Sequence, residues 1–108
     1  MANLNVFKNV TANLTTANTT LYTAPTGYTS IILMAQATNT NTAVGNVTFG
    51  WNNVTTNTEL IFNYPLATNE AANLLTGKLV LQNAHSVYGS ASANSVIKLT
   101  LSVLESLN

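Results

Sequence analysis

The sequence has no cysteine, no arginine and no aspartate, a single histidine, a single tryptophan, and only three lysines and three glutamates among its 108 residues. Each scarcity excludes a class of chemistry. Without thiols there is no disulfide to staple the fold and no thiolate to hold a metal, so the core alone must stabilise the chain. Lys8, Lys78 and Lys98 balance Glu59, Glu70 and Glu105 to a formal net charge of zero. Three scattered cations cannot neutralise a run of phosphates, which argues against nucleic acid as a partner. The five glycines, Gly27, Gly45, Gly50, Gly77 and Gly89, stand singly, so no phosphate-cradling loop can be built from them. No stretch approaches the roughly 20 apolar residues of a membrane-spanning helix. The opening Met1-Ala2-Asn3-Leu4 lacks the basic start and apolar run of a secretory leader. The expectation is a chain made and kept in a cytoplasm, with no membrane partner.

What replaces charge is asparagine and threonine, together about a third of the chain, beside a hydrophobic content of 46%. That apolar fraction fills one core, and the length suits one domain over residues 1–108. Disordered chains combine low hydrophobicity with high net charge, and this chain has neither. A neutral surface also removes the repulsion that keeps monomers apart, so self-association or docking onto a larger assembly is expected.

β-branched and aromatic residues recur in short runs separated by Asn, Gly, Pro and Thr, the pattern of an all-β sandwich or barrel. Tyr28 to Ala37 is nearly all apolar and reads as a central strand covered on both faces. Val47, Phe49 and Trp51 alternate with small or polar residues, as do Leu60, Phe62 and Tyr64, giving two half-buried strands with a turn at Asn52-Asn53. Leu79 and Leu81 mark another strand, and Ser86 to Ala93 a small-residue strand. Ile97, Leu99, Leu101 and Val103 alternate with Lys98, Thr100 and Ser102 in the cleanest strand of all. From these phases Ile32, Met34, Phe49, Trp51, Leu79, Ile97, Leu99 and Leu101 are expected in the core. Pro25 and Gly27 suit a hairpin corner leading into the central strand, and residues 68–77 read as a loop. Residues 1–20, rich in Asn and Thr, read as an N-terminal arm or edge strand. Leu4, Val6, Phe7 and Val10 are too apolar there for a free tail and too few for a core, so they are expected to order against a partner.

No constellation for catalysis is visible. His85 has no second histidine, cysteine or aspartate to orient it or complete a metal shell, and reads as a turn or surface residue. Glu59, Glu70 and Glu105 read as solvated strand or loop residues rather than an acid–base pair. Trp51 with Tyr22, Tyr64 or Tyr88 is a candidate platform for sugar rings, set against the simpler reading that Trp51 fills the core in phase with Val47 and Phe49. Asn-X-Ser/Thr triplets begin at Asn9, Asn13, Asn18, Asn46 and Asn53, as this composition produces by chance. No cofactor is implied and no enzyme is expected.

The run Leu21-Tyr22-Thr23-Ala24-Pro25-Thr26-Gly27-Tyr28-Thr29-Ser30-Ile31-Ile32-Leu33, then Leu-Leu-Thr-Gly-Lys-Leu-Val-Leu at 74–81, then Ile97-Lys98-Leu99-Thr100-Leu101-Ser102-Val103-Leu104-Glu105, resembles a family of small virion proteins of tailed bacteriophages. Members read "YT-x-P-x-G" into an apolar strand, then "GGKLVLEAGD", then a serine- and alanine-rich strand, then "LSxLE". The likeness spans about residues 12–106, and departs where Gln82-Asn83-Ala84-His85 replaces the acidic turn. It implies an antiparallel β-sandwich, jelly-roll-like, here of about seven to eight strands with the N-terminal arm. It also implies a virion location after synthesis in the bacterial cytoplasm. The role implied is a capsid decoration or cement protein, with a neck or tail part as the nearest rival; a carbohydrate-binding adhesion module, with Trp51 and an aromatic partner as its platform, is the alternative the residues themselves offer. The partners implied are further copies of the chain, most simply as a homotrimer, and the major capsid protein or another virion protein.

Overall fold

Two antiparallel sheets face each other in the computed structural model, which describes residues 5–75, 77–94 and 96–107. Among the described residues nine strands build them: β1 (Asn5–Asn13), β2 (Thr19–Thr23), β3 (Tyr28–Asn39), β4 (Gly45–Asn52), β5 (Asn57–Leu66), β6 (Ala71–Asn73), β7 (Leu79–Leu81), β8 (Ser86–Ala91) and β9 (Ile97–Leu107). One sheet has the order β1-β9-β3-β6 with β7 also on β3, and the other the order β2-β8-β4-β5. β6 lies opposite residues 36–38 of β3 and β7 opposite 30–32, so the two act as one interrupted edge strand. The first strand then pairs with the last, the second with the next to last, the third with the merged β6–β7, and the fourth with the fifth. This nested pairing is that of a two-sheet jelly roll, in agreement with the expected all-β sandwich.

The centre of the molecule is the β3–β9 ladder, which runs from Tyr28 opposite Leu107 to Asn39 opposite Ile97. On β9 the alternation read in the sequence puts Ile97, Leu99, Leu101 and Val103 inward and buried. On β3 the inward set is Ser30 and Ile32, then Ala35, Ala37 and Asn39. The phase changes because the register shifts between Ile32 and Met34, leaving Leu33 as the extra residue of a bulge. Met34, expected in the core, is therefore only partly buried. Val47 and Phe49 of β4, Val87 and Ala91 of β8, and Leu14, Leu66, Leu74 and Leu81 complete the core. Trp51 and Leu79, also expected there, pack against its margin and are half-buried.

Three local expectations change. Leu60, Phe62 and Tyr64 of β5 face outward and are exposed, and Ile61 packs against the core instead, because the register shifts around Phe49 reset the phase of β5. Residues 68–77 contain the short strand β6 rather than a loop alone, because the Ala67–Glu70 turn, with Asn69 at φ 60, brings Ala71–Asn73 back onto β3. The Pro25 turn is present, with Tyr28 N donating to Pro25 O at 3.1 Å and Gly27 at φ 87, a conformation that favours glycine. It is not a hairpin, since β2 pairs with β8 and β3 with β9; it is a corner that carries the chain from one sheet to the other.

Asn39, fully buried, closes one end of the sandwich. Its Nδ2 donates to Ala43 O and Leu66 O, both at 3.0 Å, and its Oδ1 accepts from Asn41 N at 2.9 Å. A buried amide is tolerated because it is satisfied in this way. On the outer face of the four-stranded sheet, Tyr88 of β8 lies across Gly50 of β4, its hydroxyl and Cζ 2.5 and 2.6 Å from where a Cβ would stand.

Leu99→Ala should destabilise the fold by about 2–5 kcal/mol through the cavity it opens, whereas Thr100→Ala, one residue on and facing outward, should change stability by about 0.5 kcal/mol or less. Urea unfolding of both checks the phase of β9, because a one-residue slip would exchange the two results. Gly50→Ala should cost about 1–3 kcal/mol, since the new Cβ also meets the Thr58 carbonyl oxygen at 2.5 Å, a backbone atom that cannot swing aside.

Candidate docking face and buried polar cluster

The N-terminal residues expected to contact a partner are divided between two faces. β1 is an edge strand, paired with β9 from Asn5 opposite Ser106 to Asn13 opposite Lys98 with no register shift. Val6 and Val10 are half-buried and share its inner face, where Val10 packs against the core. Phe7 points the other way and is 75% exposed. Leu4 lies outside the described residues.

Phe7 begins a row that the sequence alone does not reveal. It lies opposite Leu104 of β9, Leu104 lies opposite Ile31 of β3, and Ile31 lies opposite Val80 of β7. Their strand neighbours, Val103, Ile32 and Leu81, are buried in the core, so alternation turns all four side chains outward. The result is an apolar row across the outer face of the five-stranded sheet, about 15 Å from first strand to last at the usual strand spacing. Polar rows border it: Asn5, Ser106 and Thr29 on one side, Asn9 and Ser102 on the other. Lys78, exposed and two residues before Val80, stands just before β7 at the end of the second bordering row. The two ends of the apolar row, Phe7 and Val80 (53% exposed), are its most exposed members, while Leu104 and Ile31, flanked on both sides, are half-buried.

The inner face carries a charged cluster of its own, while Lys98 of β9 stands exposed on the outer face, opposite Asn13 and Thr38. Glu105, read from sequence as solvated, is only 4% exposed. It continues the inward phase of Ile97, Leu99, Leu101 and Val103, and that alternation was the signal that could have placed it. The Tyr22 hydroxyl donates to Glu105 Oε2, and Tyr22 Oη lies 2.8 Å from Ser30 Oγ. Lys8 Nζ stands 3.3 Å from Glu105 Oε1. The cluster thus joins β1, β3 and β9 of one sheet to β2 of the other. Burial, reinforced by the hydrogen bond to the Glu105 carboxylate, holds the Tyr22 phenol well above the usual tyrosine range. Tyr88 shifts the same way, through burial and its 3.1 Å bond to Glu59 Oε2.

The remaining candidates do not converge. Glu59 binds Tyr88, Glu70 Oε1 accepts from Ala67 N at 3.1 Å, and Glu105 sits in its own cluster. His85 stacks obliquely on Trp51, with ring centroids 5.6 Å apart and planes at 44°, and its Nδ1 is buried without a hydrogen-bond partner in the structure. Trp51 shares an inner-face row with Val87 and Tyr22, so it does not offer a flat exposed platform to a sugar. Among the described residues no group of three His, Cys, Asp or Glu side chains is arranged to hold a metal. A cleft of about 310 Å³ opens at one side of the sandwich, between Leu60 and Ile61 of β5 and Leu74, Leu75 and Leu79 of the β6–β7 stretch.

No protein-family model matches the chain, and no curated protein matches it in sequence. Solved structures share its fold. A chain from the acid-stable capsid structure of Helicobacter pylori bacteriophage KHP30 superposes over 99% of this chain and 90% of its own length, with a TM-score of 0.60 and 12% identity. A chain from Bacillus endospore appendages, described as disulfide-linked pili, matches over 96% of this chain and 88% of its own, with a TM-score of 0.56 and 11% identity. A chain from the T13 viral particle of IBDV matches 98% of this chain at a TM-score of 0.61 and 8% identity, although this chain spans only 32% of that longer one. At these identities what is shared is the two-sheet fold.

Tyr22→Phe should destabilise the chain by about 1–3 kcal/mol, because it leaves a buried carboxylate short of a donor. Because folding raises the Tyr22 pKa, the folded state holds that proton more tightly than the unfolded state. The stabilisation is full below about pH 10, the unfolded tyrosine value, and is lost as pH rises above it. Unfolding midpoints from pH 8 to 11.5 should fall less steeply in Tyr22→Phe than in the parent, the residual slope coming from Tyr88.

Proposed function

We propose that this chain is a structural protein of a bacteriophage virion, and more specifically a decoration or cement protein that binds the outer capsid lattice and stabilises it. The observation that carries this reading is the end-to-end likeness to the KHP30 capsid chain, which accounts for nearly all of both chains. The order of the short sequence motifs points the same way, as do the net charge of zero and a set of titratable groups that do not gather into a catalytic cluster. The partners in this reading are further copies of the chain, as a homotrimer, and the major capsid protein. Contacts made by Asn, Thr and Ser around an apolar row gain from hydrogen bonds and fit and respond weakly to salt. A neck or tail position is the nearest alternative. A carbohydrate-binding role has less support, since Trp51 is packed against the core and His85.

Mass spectrometry of purified virions should find the protein in fixed ratio to the major capsid protein, and cryo-EM should place it on the outer shell. Particles assembled without it should lose genome or rupture at lower temperature and recover when purified protein is added back, with binding little changed between low and high salt. Density confined to neck or tail would replace the decoration role with the alternative. Absence from the particle would overturn the reading.

A further inference from the structure

The apolar row ends abruptly at both sides of the sheet, and the two ends fit one another. We propose that copies of this chain join side by side, β1 of one copy adding to the β7 edge of the next. The five-stranded sheets then run on as one antiparallel sheet, and Phe7 of one copy lies beside Val80 of its neighbour. The proposal rests on the homo-oligomer part of the reading above and on none of its virion part.

Strand direction permits this joint. β1 is antiparallel to β9, β9 to β3, and β3 to β7, so β1 runs opposite to β7. Copies related by rotation about an axis along the strands keep these directions, and a neighbour's β1 therefore meets β7 antiparallel. Contacts of this head-to-tail kind close into rings when the rotation closes.

The edges themselves select β1. A sheet edge is kept from pairing by bulges, prolines, short strands or charges. β5 carries register shifts around Phe49, Pro65 and a positive φ at Asn63, and β2 is five residues long with its own register shift. β1 has nine residues in unbroken register, with no proline and no glycine. Its one charge, Lys8, is half-exposed on the inner face and is met within the same copy by Glu105 Oε1 at 3.3 Å. On the receiving side β6 and β7 are only three residues each, but among the described residues they pair with β3 alone and together span residues 30–38 of it, and the cleft lined by Leu60, Ile61, Leu74, Leu75 and Leu79 opens beside them.

The occupant of this side is a second copy because, with Phe7 beside Val80, a neighbour's β1 sets Val6 beside Leu81 and Asn9 beside Lys78, and only Lys8, beside Leu79, departs from the row it continues. Phe7 follows Val80 in the apolar row, and no charge is brought against another in that row. A contact roughly 30 Å long, the length of β1, and about 20 Å deep across both sheets buries about 1,200 Å² in total, above the roughly 1,000 Å² that a specific interface needs.

The chain has no cysteine of its own, which makes the joint directly testable. Residues opposite one another on antiparallel strands have Cα atoms about 4.5–5.5 Å apart, within disulfide reach. Mild oxidation of the double variant Phe7→Cys/Val80→Cys should give a non-reducing ladder that ends at the ring size. Peptide mapping should find the disulfide joining position 7 of one chain to position 80 of another, in about tenfold excess over any link in either single variant. Phe7→Lys, outward and exposed, should keep the circular dichroism of the parent while light scattering shows dissociation. Linkage of position 7 to position 7 would overturn the joint in favour of a two-fold β1 pairing. A parent that scatters as an oligomer while positions 7 and 80 stay unlinked would overturn the joint and leave the oligomer intact. A parent monomeric throughout would defeat both, and the virion reading would still be judged by the particle composition.

Discussion

The β3–β9 ladder is the contact on which the rest of this structure depends. These are the two longest strands, they lie side by side in the middle of the five-stranded sheet, and together they supply a large part of the inner face. Every other strand of that sheet hangs on one of them: β1 on β9, β6 and β7 on β3. Their shared register is what brings Phe7, Leu104, Ile31 and Val80 into one line. The bulge at Leu33 belongs to the same constraint. By inserting one residue it restores Ala35, Ala37 and Asn39 to the inner face, and it lets a small-residue stretch face the core where Met34 would otherwise point.

Near one end of that ladder the apolar interior gives way to Glu105, Tyr22, Ser30 and Lys8. A carboxylate taken out of water is costly unless partners satisfy it, and here a phenol and an ammonium arrive from two different strands outside the ladder. The consequence is geometric as much as energetic. Lys8 can reach Glu105 only if β1 is in its observed register on β9, and Tyr22 only if β2 is folded over the same end. The cluster therefore couples the placement of the two N-terminal strands, which sit at the edges of opposite sheets. It also draws the one charge of β1 toward the inner face.

The carboxylates are engaged in internal bonds, Glu59 to Tyr88, Glu70 to its own turn, Glu105 to Tyr22 and Lys8, while Lys78 and Lys98 stand exposed among Asn, Thr, Ser and a narrow apolar row. A flat sheet face of this kind presents shape and hydrogen bonds and little long-range field.

Much of this was determined locally. The alternation of Ile97, Leu99, Leu101 and Val103 is sufficient to define β9 and its inner face, because a strand's side chains have a period of two wherever it lies. Composition sufficed likewise for the all-β class, the single core and the neutral surface. Where the sequence fell short, the cause was a partner strand it does not name. The Leu33 bulge, the half-buried Met34 and the return of Ala71–Asn73 onto β3 all follow from register, which is a property of two strands. The Pro25 turn was legible as a turn, but whether it closed a hairpin or crossed between sheets depended on β8 and β9, more than sixty residues along the chain. Glu105 was within reach of the period that placed Leu99, yet what makes its burial tolerable is supplied by Tyr22 and Lys8 from distant strands. The apolar row is the clearest case: its four members come from four strands and share no spacing, so only the tertiary pairing makes them neighbours.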